Sequence, residues 1–235
     1  MDTTERITIT IDGNDRVSGL QRVPDVAHAC CVLAHGAGAG MSHPFMAAVA
    51  DGLAERGVAT LRFQFPYMER GSKRPDTPMI ADATIRAAVA EAARRWPRLP
   101  LFAGGKSFGG RMTSQAQALD PLPGVCGLVF FGFPLHPAGK PSDSRAAHLS
   151  RVRVPMLFVQ GTRDKLAAPE LLLPVIDRLG PRASLHKLDG ADHSFHVLAR
   201  GVRTNAEVLC EALNACVAWF DRCFESTQVS VAGSV

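Results

Sequence analysis

The sequence predicts an α/β protein, with a mostly parallel sheet and helices packed on both of its faces. Three observations lead there. Apolar runs of strand length recur along the 235 residues, amphipathic helical patterns separate them, and glycine- or proline-bearing loops mark the joins. No internal repeat or low-complexity block interrupts the alternation, so residues 1–224 are expected to form a single domain.

The elements follow in order. RITITI (6–11) alternates polar and apolar residues, as a half-exposed edge strand should, and 17–22 suits its hairpin partner. ACCVLA (29–34) is continuously apolar, which suits a strand buried on both faces. The glycine-rich loop HGAGAGMSH (35–43) precedes a helical pattern through Phe45, Val49, Leu53 and Ala54, ended by Gly57. Strand 58–63, a long loop (64–78), an alanine-rich helix (80–95) and strand 101–104 come next. A helix to about 118 and strand 125–133 lead to a linker, 134–153, with room for one short helix. Strand 156–161, helix 169–179, strand 183–188 and a last helix over about 203–224 complete the pattern. Residues 225–235 (ESTQVSVAGSV) are expected to form a disordered tail.

The formal charge of +4 is mild and the arginines are spread along the chain, so neither a nucleic-acid nor a membrane partner is expected. No apolar run approaches a membrane span, and MDTTERITITID lacks the basic start and apolar core of a signal peptide. The six cysteines contain no C-x-x-C pair, and those in apolar runs act as small hydrophobes. A cytoplasmic setting is expected. No cluster of His, Cys, Asp and Glu has ligand spacing, so neither metal nor cofactor is expected.

The chemistry turns on GGKSFGGRM (104–112). Gly-Lys-Ser is the tail of a phosphate-binding loop, but five residues before Gly105 stands Pro100, and PLFA (100–103) is strand and not loop. Lys106 therefore has no phosphate cradle. Gly105-Lys106-Ser107-Phe108-Gly109 is also Gly-x-Ser-x-Gly, a strand-to-helix turn that lifts a serine and needs small residues two before and two after it. A serine hydroxyl attacks only when a base takes its proton, and that base, a histidine, needs an acid to hold its tautomer. Asp164 follows strand 156–161, and His193 follows strand 183–188, with His196 the runner-up in the same loop. The order Ser107, Asp164, His193 places each group after a separate strand, at the carboxyl end of the sheet. Phe108 N–H is one expected oxyanion donor, and Ala37 or Gly38 in the loop after strand 29–34 supplies the other.

LAHGAGAGMSHPFM, LRFQFPY, GGKSFGGRM, GTRDKL and ADHSF together resemble the α/β-hydrolase superfamily. More narrowly, they resemble its small lidless group related to dienelactone hydrolases, which includes the domain of the testis-expressed protein 30 type. The resemblance implies an eight-stranded, mostly parallel sheet with a Ser107–Asp164–His193 triad. The chain departs from dienelactone hydrolases in carrying serine where they carry cysteine. The interval 134–153 is too short for a lid that covers much, so a small ester-like substrate is expected. Tyr67, Met68, His35 and Lys106 are its candidate contacts. The flanking Lys106, Arg111, Arg163 and Lys165 suggest an anionic one. Two functions remain open: a serine esterase or thioesterase, and a hydrolase fold serving as a non-catalytic binding or assembly module.

Overall fold

In the computed structural model, residues 4–13, 15–199 and 201–232 are described, with side chains through residue 225. Eight strands form one sheet: β1 Thr4–Asp12, β2 Asp15–Arg22, β3 Ala29–Ala34, β4 Val58–Phe63, β5 Leu101–Lys106, β6 Val125–Phe131, β7 Met156–Gly161 and β8 Ala183–Leu188. Their order across the sheet is β1-β2-β4-β3-β5-β6-β7-β8. β1 and β2 form an antiparallel hairpin, β2 meets β4 antiparallel, and every later pairing is parallel. The α/β class and the mostly parallel sheet are as expected.

Each central strand feeds two cores, because successive side chains point to opposite faces. In β3, Cys30, Val32 and Ala34 join one apolar cluster, while Ala29, Cys31 and Leu33 join the other. The helices α1 (Pro44–Ala54) and α6 (Asn205–Ala232) bring Met46, Val49, Leu53, Leu213 and Phe220 to the second cluster. On the opposite face, α3 (Pro78–Arg95), α4 (Phe108–Leu119) and α5 (Pro169–Leu179) supply Ile85, Met112 and Val175. Proline occupies the first turn of α1, α3 and α5, where its missing N–H leaves no helical bond unmade.

The structure differs from the expected elements at several points, among them β6, which stops at Phe131 where a strand over 125–133 was expected. A single helical turn, α2 (Pro66–Glu69), lies inside the long loop, too short for periodicity to reveal. β5 runs to Lys106, because Gly105 and Lys106 still pair with Phe130 and Phe131 of β6. The last helix continues to Ala232, into the segment expected as a disordered tail, and 233–235 lie outside the described residues. The linker holds one 3-10 helix, Ser144–Arg151. No helix among the described residues is long and apolar enough to cross a membrane.

The parallel register aligns the strand ends. Ala34 lies opposite Gly105, Lys106 opposite Phe131, and Gly161 opposite Leu188. The loops that follow β3, β5, β7 and β8 therefore gather at one edge, which is where open α/β sheets build sites.

Candidate active site

Ser107 stands between β5 and α4 with φ 50° and ψ −116°, a backbone conformation that non-glycine residues rarely adopt. Its N–H donates to Phe131 O at 3.2 Å, which ties the turn to β6. The flanking glycines are demanded by contact with β3. A Cβ at Gly105 would lie 2.1 Å from Ala34 O, and one at Gly109 would lie 2.3 Å from the same oxygen. Only glycine lets the turn come this close.

The structure brings Ser107, His193 and Asp164 into one hydrogen-bonded series. His193 Nε2 is 2.8 Å from Ser107 Oγ, and His193 Nδ1 is 2.6 Å from Asp164 Oδ2. An ionised carboxylate accepts the Nδ1 proton, leaving Nε2 to accept from the hydroxyl. Asp164 is 3% exposed, so its charge needs partners. Besides His193, it accepts from Gln160 Nε2 at 2.5 Å and from Leu166 N–H at 2.7 Å. Gln160 Oε1 in turn accepts the Phe133 N–H at 2.8 Å, which settles which way the amide points. The His193 loop is held from below by Asp192, whose Oδ1 accepts the N–H groups of Ser194 and His196. His196 lines the same cavity, but the structure gives it no bond to Ser107.

Lys106 closes the other side. Its Nζ donates to His193 O and lies 5.5 and 5.3 Å from the ring centroids of Phe45 and Phe195. Burial pushes the Lys106 ammonium down to about 8, against the pull of Asp164 and Asp192. The cavity above Ser107 is about 750 Å³. Lys106, Ser107 and His193 border it on one side, and Phe45, Met46, Leu166, Phe195 and Leu209 make its apolar walls. Phe195 holds φ 64° and packs edge-on against Phe45 at 5.5 Å.

Three expected substrate contacts lie elsewhere. His35 is 0% exposed: its Nδ1 donates to Gly36 O at 2.8 Å and its Nε2 accepts the Phe65 N–H at 3.1 Å. Burial pushes it down to about 4, so it is a neutral pin between the β3 and β4 loops. Tyr67 is 1% exposed, and its hydroxyl accepts the Gly38 N–H at 3.2 Å. Neither Tyr67 nor Met68 borders the cavity; Met68 lies against Gly40 instead. The Tyr67 contact also distinguishes the N–H groups of the loop after β3. Gly38 N–H is taken, whereas no acceptor among the described residues takes the N–H of Ala37 or of Phe108. Arg111 borders a different cavity from Ser107.

Sequence reasoning missed the cavity walls and Gln160. Phe195 was visible two residues beyond His193, and Gln160 as the lone polar side chain in a buried strand. Phe45 and Leu209 come from helices far apart in the chain, and no local pattern pairs them. Among the described residues, no group of three or more His, Cys, Asp and Glu is placed to hold a metal ion.

A family model described as an alpha/beta hydrolase domain matches residues 27–221, most of the chain. The chain belongs to the α/β-hydrolase family. Solved members share the architecture at low identity. A dienelactone hydrolase from Anabaena variabilis superposes with a TM-score of 0.72 at 20% identity, covering 91% of this chain and 96% of its own. A serine hydrolase without a lid from Xanthomonas campestris also gives 0.72, at 19% identity with 92% and 94% covered. Est1E from Butyrivibrio proteoclasticus, with ferulic acid bound, gives 0.71 at 17% identity with 92% and 99% covered. These likenesses show the same fold as the dienelactone hydrolase and the lidless serine hydrolase.

Proposed function

We propose that this α/β-hydrolase is a serine hydrolase that cleaves small carboxylic esters or thioesters through an acyl-enzyme on Ser107. The observation that carries the reading is the unbroken series from Ser107 Oγ through His193 to the buried Asp164 carboxylate. In this mechanism His193 Nε2 takes the hydroxyl proton as Oγ attacks the acyl carbon. Asp164 keeps Nδ1 protonated and stabilises the imidazolium that forms. The developing oxyanion accepts from the N–H groups of Phe108 and Ala37. As the tetrahedral intermediate collapses, His193 returns the proton to the departing alcohol or thiol. A water, deprotonated by the same nitrogen, then releases the acid and restores Ser107.

The substrate class follows from the cavity. Its walls are largely apolar and the segment between β6 and β7 is short, which suits a compact acyl group or an aromatic one packed against Phe45 or Phe195. Lys106 is the cation bordering that space, and it favours an acyl chain that ends in a carboxylate. Comparing neutral and carboxylate-bearing esters at low salt tests this preference. Equal kcat/KM for the two would remove it.

A fluorophosphonate probe tests the nucleophile. Wild type should be labelled at Ser107, and Ser107→Ala and His193→Ala should not be, while both keep the wild-type circular dichroism. Ester turnover in the two variants should fall by roughly three to six orders of magnitude. A folded wild type that neither labels nor turns over esters would leave the fold serving as a binding module.

A further inference from the structure

A second cavity lies between α4 and the 3-10 helix Ser144–Arg151 of the linker between β6 and β7. It encloses about 530 Å³ and is bordered by Arg111, Gln115, Ser144, Arg145, His148 and Arg151, among others. A further cavity of about 650 Å³ shares Ser150 and Arg151 with it and adds Arg153 and Arg182. Five arginines thus border the pair, and no aspartate or glutamate borders either one. The nearby acids are already engaged: Asp143 accepts from Arg178, and Asp120 from Arg86.

Several arginines elsewhere are paired with carboxylates. Arg56, Arg70, Arg86, Arg95 and Arg203 each have a carboxylate within ion-pair distance. Among the described residues, the guanidinium groups of Arg111, Arg145 and Arg151 have no carboxylate and no other acceptor. Arg111 is half-buried beside Arg145, and both its burial and that like charge work against its cationic form. His148 is held neutral by burial and by Arg111 and Arg151, down to about 4, with its Nε2 at 2.8 Å from Ser114 Oγ. Like charges gathered in one open concavity repel one another, and an anion that enters offsets that repulsion.

We propose that this arginine cavity is a binding site for the phosphate group of a small phosphomonoester. Three guanidinium forks can each present paired N–H donors to phosphate oxygens, and Ser144 and Gln115 add neutral donors at the rim. The concavity suits a small molecule. Single-stranded nucleic-acid sites commonly add aromatic side chains for base stacking, and neither cavity is bordered by Phe, Tyr or Trp. The site is coupled to the Ser107 turn by a backbone hydrogen bond, since the Arg111 N–H donates to Ser107 O at 3.1 Å. It does not depend on Ser107 being a nucleophile.

Isothermal titration of the full chain, at ionic strength held constant with sodium chloride, tests it. The titrants are inorganic phosphate, adenosine monophosphate and adenosine. Phosphate and the monophosphate should bind saturably at one site, and adenosine should not bind. Arg111→Gln and the double variant Arg145→Gln/Arg151→Gln should each weaken binding at least about tenfold, the loss expected for a charge-assisted hydrogen bond. Arg16→Gln, on an exposed strand position far from the cavity, should bind as wild type does. Arg151 is exposed, so Arg151→Gln alone keeps the test if the Arg111 variant fails to fold. Absence of saturable binding, or equal affinity in the variants, overturns the proposal. So does a single-stranded RNA oligomer that binds more tightly as its length grows, which would make this face a nucleic-acid surface.

Discussion

Asp164 is a carboxylate buried with three donors aimed at it, and each donor does something different. The Leu166 N–H fixes the turn, Gln160 fixes the rotamer, and His193 links the charge to Ser107. Asp164→Asn keeps the shape but offers an amide N–H where Nδ1–H must be accepted, so His193 turns to the wrong tautomer. On the proposed mechanism, ester turnover should fall by about four orders of magnitude with little change in melting temperature. Gln160→Leu separates positioning from charge. It leaves the buried Phe133 N–H without its acceptor, which should lower stability by about 1–3 kcal/mol, and it removes one donor from Asp164. The pH profile of kcat should move while KM stays near its wild-type value. An unmoved profile would reduce Gln160 to a purely structural part.

At the scale of elements, the decisive contact is the approach of α4 to the end of β3. Gly109 is helical, so its requirement is spatial: the Cβ of Gly109→Ala would meet the Ala34 carbonyl, and backbone cannot step aside cheaply. We expect a loss of about 3 kcal/mol or more in urea unfolding, with ester turnover falling further than stability because Ser107 moves with the helix. Wild-type stability in this variant would mean that the helix can shift without consequence. This contact was legible beforehand, because Gly-x-Ser-x-Gly after an apolar strand already implies it. β3, β4, β7, β8 and α5 were legible to the residue for a related reason: each is a continuous apolar or amphipathic run closed by glycine, proline or charge. The same strand-by-strand reading placed Ser107, Asp164 and His193 at one sheet edge. It failed where position depends on how a loop folds back. The Tyr67 N–H donates to Asp76 Oδ2 at 2.7 Å, and that bond turns the tyrosine into the interior, away from the cavity where its place after a strand suggested it would stand. Nothing near Tyr67 in sequence marks Asp76 as that acceptor.

At the scale of the whole molecule, two histidines, the buried His35 and the half-buried His148, make folding sensitive to mild acid. Burial pushes His35 down to about 4, and burial with Arg111 and Arg151 pushes His148 down to about 4, from an ordinary value of 6.5. Between pH 6.5 and 4 the unfolded chain therefore binds more protons at these groups than the folded chain. Stability from them is complete above 6.5 and is lost as pH falls toward 4. For His35, which is fully buried, the loss is on the order of 3 kcal/mol. Carboxylates held low, such as Glu91, act mainly below their ordinary value of 4.5, so the upper part of this window belongs to the histidines. Urea unfolding between pH 7.5 and 5 should show stability falling as pH falls. The slope should shrink by up to one proton in His148→Gln, whose amide can still reach Ser114 Oγ. The phosphate proposal adds a sign of its own. An anion beside Arg111 and Arg151 offsets the charges that hold His148 neutral, so saturating phosphate should flatten the wild-type slope and leave the His148→Gln slope unchanged. Equal flattening in both would trace the effect to general screening by salt.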